Sequence, residues 1–173
     1  MTKRMGRGSR GGATPARNKR CGVRRYLVPN VVAPNSAFWV EGGWDIHQTI
    51  EFARELQKRN VDWIDVSSGG VSPLQKIPLG PGYQVPLAQA VKQATGVATI
   101  AVGLITEPKQ AEDIVASGKA DMVALARGML YDPRWGWHAA VELGGEVSAP
   151  PQYWRSQPST QKALFGATTF GTR

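Results

Sequence analysis

The stretch GVATIAVGLITEPKQAEDIVASGKADMVALARG, residues 96–128, decides the reading of the fold. After Gly96 it runs through Val97-Ala98-Thr99-Ile100-Ala101-Val102, an almost wholly apolar segment that stops at Gly103. Thr106 then stands where a helix N-cap is expected. Glu107 suits the positive end of a first turn, and Pro108 is tolerated there because its missing N–H has no intrahelical role. Ala111, Ile114 and Val115 recur at helical spacing up to Gly118. Asp121 opens a second apolar segment, Met122-Val123-Ala124-Leu125-Ala126, which meets Arg127-Gly128 directly. Continuous rather than alternating apolarity implies strands buried on both faces, the mark of a parallel sheet covered by helices.

The same unit precedes this stretch. Trp63-Ile64-Asp65-Val66 reads as a short strand ending in Ser67-Ser68-Gly69-Gly70. Before it, Asp45 and Gln48 have the spacing of a capping box. Ile46, Ile50, Ala53 and Leu56 follow at helical spacing, with Glu51, Arg54, Glu55 and Lys58 between them for the solvent side. A Gly/Pro-rich loop over 73–82 leads to a helix near 86–94, with Pro86 in its first turn, and a final helix is expected over 133–143. Three strands alternating with helices fit either an open doubly wound sheet or part of a (β/α)8 barrel. No strand is followed by a Gly-x-Gly-x-x-Gly fingerprint, which weighs against a dinucleotide fold.

Charge divides the chain. The 173 residues carry 21 Lys and Arg against 13 Asp and Glu, a formal charge of +8 that suggests a nucleic-acid or anionic-membrane partner. Nine of those bases and no acid fall in residues 1–25, so the remainder has 12 bases, 13 acids and a charge of −1. Residues 1–37 read as a basic, Arg/Gly-rich leader and a connector broken by Pro29 and Pro34, disordered by composition. RNA binding through the Arg/Gly segment has no interleaved aromatic before Tyr26 to support it, so nucleic acid is not the expected partner. A transit peptide would need an amphipathic helix that the glycines oppose. Residues 38–145 form the folded body and 146–173 a C-terminal tail. At 42% hydrophobic the chain can bury one core, and no run approaches 18 apolar residues, so no membrane span is expected. The single cysteine, Cys21, excludes a disulfide framework and a multi-cysteine zinc site, and with no secretory signal a cytoplasmic setting is expected.

In parallel α/β folds, functional loops follow the carboxyl ends of strands. Gly103 there lets backbone amides approach a ligand, and Arg127 offers a planar fork of donors suited to phosphate. A Gly turn and an Arg on adjacent strand ends match the phosphate site that barrels build after their last strands. An ordinary turn and a solvated charge are the bland alternatives. His47 and His138 fall inside expected helices with no second His or Cys at i+3 or i+4. Asp62 and Asp65 flank a strand without a second carboxylate at useful separation. No nucleophile–base–acid constellation is present, so no catalytic residue and no metal ligand are assigned.

Trp39-Val40-Glu41-Gly42-Gly43-Trp44, Ile64-Asp65-Val66-Ser67-Ser68-Gly69-Gly70 and Pro78-Leu79-Gly80-Pro81-Gly82-Tyr83-Gln84-Val85-Pro86 resemble the old yellow enzyme family. Val102-Gly103-Leu104-Ile105-Thr106, Ala126-Arg127 and Asp132-Pro133 continue the resemblance in order, over about 39–155. It is nearest to the bacterial-type NADPH dehydrogenase and xenobiotic reductase branch, and to the C-terminal portion only. The resemblance implies about the last three β/α units of a TIM barrel. It implies FMN as cofactor, NADPH as reductant and an electrophilic alkene as substrate. Gly103, Ala126 and Arg127 fall where the family binds the FMN phosphate, with Ala126 replacing a frequent Gly. Gln152-Tyr153-Trp154-Arg155 resembles the tail that places an Arg in a neighbouring subunit's active site, which makes Arg155 an interface residue of a homo-oligomer. No position corresponds to the family's substrate-anchoring His pair or proton-donating Tyr, so the isolated chain is expected to be inactive. Three strands cannot close a barrel, so the first strand is expected to keep an unpaired edge unless another chain completes it. The alternative function is a non-catalytic half-barrel that associates with another chain.

Overall fold

A computed structural model describes residues 26–27, 39–70 and 72–166. The Arg/Gly leader with Cys21, and residues 28–38 of the connector, lie outside the described residues. In chain order the elements are β1 (Tyr26–Leu27), α1 (Ile46–Gln57), β2 (Trp63–Val66), α2 (Val85–Thr95) and β3 (Ala98–Ala101). There follow α3 (Pro108–Ala116), β4 (Met122–Val123), α4 (Arg127–Tyr131), α5 (Trp135–Leu143) and a 3-10 helix, Pro151–Ser156. All strand pairs are parallel, in the order β1-β2-β3-β4. The order follows the chain and never reverses. Tyr26 stands opposite Trp63, Val66 opposite Ala101, and Ile100 opposite Met122.

The expected helices form for the expected reasons. Gln48 N–H donates to Asp45 Oδ1 and Asp45 N–H to Gln48 Oε1, both at 2.9 Å, which closes the capping box of α1. Ile46, Ala53 and Leu56 face inward from it. Pro86 lies in the first turn of α2, and Gly96 ends that helix in the left-handed region at φ 72°. Ala88, Val91, Val66 and Ala101 are completely buried where α2 meets β2 and β3, and Ile64 nearly so. Burying the Val and Ile side chains contributes about 1.5–3 kcal/mol each.

Five expectations need correction. First, a fourth strand precedes the expected three: Tyr26–Leu27, placed in the connector, pairs with β2, whose edge is therefore covered. Second, β4 is two residues long instead of five, and Met122 is exposed, because β4 is the outer strand and has one neighbour. Consecutive burial holds only in β3, where Thr99, Ile100 and Ala101 are buried and Ala98 is half-buried. Third, the N-cap of α3 is Glu107, extended at φ −94° and ψ 138°, while the Gln110 side chain reaches back to the Thr106 N–H at 3.1 Å. Fourth, the helix expected over 133–143 begins at Trp135. Fifth, a separate helix, α4, precedes it. Asp132 between them is extended at φ −126° and ψ 91°, as steric conflict with the Pro133 ring demands. The C-terminal tail folds back on α5, where Leu164, Phe165 and Ala149 cluster with Trp137 and Trp154.

At the amino ends of β3 and β4, Asp121 joins three elements. Its Oδ1 pairs with Lys92 Nζ at 2.9 Å and its Oδ2 accepts from Thr99 N–H at 2.9 Å. Burial pushes its pKa up, but the Lys92 hydrogen bond, the Thr99 N–H and the Lys92 charge together outweigh it and hold the carboxyl below its ordinary value of 3.8. A depressed pKa stabilises the fold above the ordinary value, and that contribution is lost as pH falls through the folded-state value. Asp121→Ala should therefore lower the urea midpoint at neutral pH, with the gap to the parent chain narrowing as pH falls below the ordinary carboxylate range. An unchanged gap would contradict the assignment. Asp45→Ala should cost about 1 kcal/mol through the lost cap, read as a lower Tm with α1 still formed by circular dichroism.

Candidate functional site

Parallel pairing sends the loops after β2, β3 and β4 out on the same side of the sheet, and a cavity of about 190 Å³ opens there. Gly103, Ala126 and Arg127 all line it, with Tyr83, Gln84 and Thr106 among the others. The three residues expected to share a site are thus brought together, although 22 positions separate Gly103 from the Ala126–Arg127 pair in sequence.

The loop after β3 is built to present its backbone. Gly103 has φ +114° and Leu104 φ +51°, so two consecutive residues sit in the region that side chains disfavour. The Gly82 N–H donates to the Gly103 carbonyl at 2.9 Å. Gln110 Nε2 donates to the Leu104 carbonyl at 3.3 Å, and Trp135 Nε1 to the Thr106 carbonyl at 2.9 Å. The carbonyls are held outside the cavity, while the N–H groups of Gly103 and Leu104 find no acceptor among the described residues. Glycine is required at 103: a Cβ there would stand 2.8 Å from Gln84 Nε2, 3.0 Å from Tyr83 Cε1 and 3.1 Å from Gln84 Cγ.

Arg127 is exposed at the start of α4 and forms no ion pair among the described residues. Arg54, Lys58, Arg59 and Lys92 each rest on a carboxylate instead. A cavity lined by an arginine and by residues whose amides lack acceptors attracts an oxyanion, and its lining includes no His, Cys, Lys, Asp or Glu.

The other candidates lie elsewhere. His47 lines a 680 Å³ hollow on the outer side of α1, with Trp44 and Phe52. His138 Nδ1 is 2.6 Å from Asp132 Oδ2 on the surface. Arg155 is exposed on the 3-10 helix and does not line the cavity. Among the described residues no three His, Cys, Asp or Glu side chains gather as a metal site, and no helix is long and apolar enough to cross a membrane. Gln84 also lines the cavity, although its sequence motif assigns it no role. Its signal was an amide side chain set between Gly82-Tyr83 and Val85-Pro86, a turn that must pack against the sheet.

Residues 28–144 match the model of the NADH:flavin oxidoreductase / NADH oxidase family. An NADPH dehydrogenase of Halalkalibacterium halodurans is 44% identical over 128 residues, 74% of this chain and 38% of that protein. One from Geobacillus sp. is 47% identical over 113 residues, covering 65% and 33%, and one from Listeria innocua is 38% identical over 128 residues, covering 74% and 38%. The chain spans under two fifths of the length of these relatives. Among solved structures, GGGPS from Thermoplasma volcanium gives a TM-score of 0.36 at 19% identity over 60% of this chain and 39% of that one, too low for any argument.

Two glycines separate strain from crowding. Gly96 is also left-handed, at φ +72°, but nothing lies within 4 Å of its would-be Cβ. Gly96→Ala should cost about 1–2 kcal/mol, and Gly103→Ala clearly more, in urea unfolding. Equal losses would show that the Gln84 contact yields freely.

Proposed function

Because the chain belongs to the NADH:flavin oxidoreductase / NADH oxidase family, the old yellow enzyme family, we propose that it is a fragment of an FMN-dependent NADPH oxidoreductase. On this reading it is of the ene-reductase type, and Gly103, Ala126 and Arg127 hold the FMN phosphate. The observation that carries the reading is the meeting of the Gly103–Leu104 amides and the Arg127 side chain around one cavity at the carboxyl ends of parallel strands. The residues fit the group: the donor set is cationic and neutral without a carboxylate lining it, and the backbone can be approached closely where Gly103 lacks a Cβ. The strands then belong to a (β/α)8 barrel. Supporting this, their order is sequential, whereas a doubly wound sheet reverses at a switch point.

FMN, when bound, supplies hydride transfer between NADPH and the β-carbon of an activated alkene. This chain's residues bind and orient. Arg127 contributes a planar fork for two phosphate oxygens, Gly103 and Leu104 contribute backbone donors, and Ala126 leaves its backbone open to a contact. None of them moves a proton. The residues that match the family's motifs include neither its proton-donating Tyr nor its substrate-anchoring His pair, so the chain alone does not turn over. Arg155 acts, on this reading, at a neighbouring copy, and the setting is cytoplasmic.

A second reading, a half-barrel that associates with another chain, is favoured by the exposed Met129, Leu130 and Tyr131 that follow the two-residue outer strand β4. RNA binding through residues 1–25 concerns residues outside the described ones, and no observation favours it.

Titration of the full chain with FMN and with riboflavin, followed by flavin fluorescence, tests the phosphate assignment. Arg127→Ala should weaken FMN about tenfold or more and leave riboflavin unchanged, since a charged hydrogen bond contributes about 1.5–3 kcal/mol. Equal FMN affinity in the variant would overturn the assignment. Steady NADPH oxidation with cyclohexenone would overturn the inactivity.

A further inference from the structure

Gln84 is 4% exposed and lines the same cavity. A carboxamide has one acceptor oxygen and two N–H donors on opposite sides, so fixing one end directs the other. Here the oxygen is fixed: Gln84 Oε1 accepts from the Ser68 backbone N–H and from Ser68 Oγ, the latter at 2.7 Å. The reverse orientation would set two donors against each other at Ser68 N. Ser68 Oγ in turn accepts from Trp39 Nε1 at 3.2 Å, so its own hydrogen is committed to Gln84. The donors run in one direction, Trp39 to Ser68 to Gln84, and each bond polarises the next, leaving the terminal N–H groups stronger donors. That terminus, Nε2, is turned toward Gly103 and has no acceptor among the described residues. The residue as a whole is buried, but Nε2 keeps solvent contact, so a ligand in the cavity can reach it.

We propose that Gln84 is a ligand-contacting residue of this cavity, whose carboxamide N–H groups donate to the oxygens of a phosphate monoester. The inference rests on the phosphate reading of the cavity and adds a third, side-chain donor from the loop after β2 to those after β3 and β4. It explains why residue 103 is glycine: the Gln84 amide must reach past that position. It also gives Ser68 and Trp39 a role, as positioning residues that hold the amide by its oxygen.

The test uses the full chain labelled with ¹⁵N, with the Gln84 side-chain amide signals identified by their loss in Gln84→Glu. Inorganic phosphate and FMN should shift those signals, and riboflavin should not. Gln84→Glu keeps an oxygen for Ser68 but turns a charge on the phosphate, and should weaken FMN about tenfold or more with riboflavin held within about twofold. Gln84→Met, which removes the donors without adding charge, should give a smaller loss in the same direction. Amide signals that ignore phosphate, with FMN and riboflavin weakened equally in both variants, would make Gln84 a packing residue and overturn the proposal. The Arg127→Ala comparison stands apart from that result. An amide that responds to phosphate while Arg127→Ala leaves FMN affinity unchanged would support Gln84 and refute the FMN reading. If no signal of the chain responds to phosphate or FMN, both fall.

Discussion

Parallel pairing of β2, β3 and β4 is the constraint on which the rest depends. β3 has a hydrogen-bonded neighbour on each side, and Thr99, Ile100 and Ala101 are buried. Because all strands point one way, the chain must return outside the sheet after each, and α2 and α3 are those returns. The loops that leave the carboxyl ends then meet whatever their sequence. The Gly82 N–H on the Gly103 carbonyl locks two of them together at 2.9 Å, and the third brings Arg127.

The two ends of the sheet handle polar groups in opposite ways. At the amino ends, Asp121 satisfies the Thr99 N–H and the Lys92 ammonium together, so this end is an electrostatic clasp across β3, β4 and α2. At the carboxyl ends the arrangement stops short of satisfaction: the Gly103 and Leu104 amides and the Gln84 amide lack acceptors among the described residues. Buried donors are ordinarily paired because each unpaired one costs about 1–3 kcal/mol. A ligand at the carboxyl end would supply the acceptors that these groups lack.

Much of this was legible in the sequence where one local signal dominated. The apolar runs at Trp63–Val66 and around Ala98–Ala101 gave strands, and Asp45 with Gln48 gave the start of α1. Gly103, Ala126 and Arg127 could be placed at strand ends because both runs stop abruptly there. What escaped depended on partners distant in sequence or on backbone sterics. Tyr26–Leu27 is too short for any period and exists as a strand only by pairing with Trp63 and Ile64. Met122–Val123 is cut short because a strand with one neighbour keeps only the residues its partner can bond. Pro133 marked the start of the final helix to within two residues, but α4 before it, five residues long, is too short to show a period. Gln84 could not be read as a site residue, since its orientation is set by Ser68, 16 positions earlier.

These donors bear on stability as well as binding. A ligand oxygen entering the cavity would satisfy groups that otherwise weigh against the folded state, so anion binding and folding are linked: whatever binds the folded chain and not the unfolded one shifts the equilibrium by mass action. The linkage matters most for a fold with this geometry. Both outer strands, β1 and β4, are two residues long, and short edge strands resist pairing with other chains but add little cohesion of their own. The loops after β2, β3 and β4 meet at the cavity, so an anion held by Gln84, Gly103 and Arg127 would tie the outer strand β4 to β2 across the central strand. The ligand would then act as a fourth element of packing at the carboxyl end, the counterpart of the Asp121 clasp at the amino end. That places the stabilising role of the anion in the same atoms that recognise it, and it follows from the direction of the strands alone.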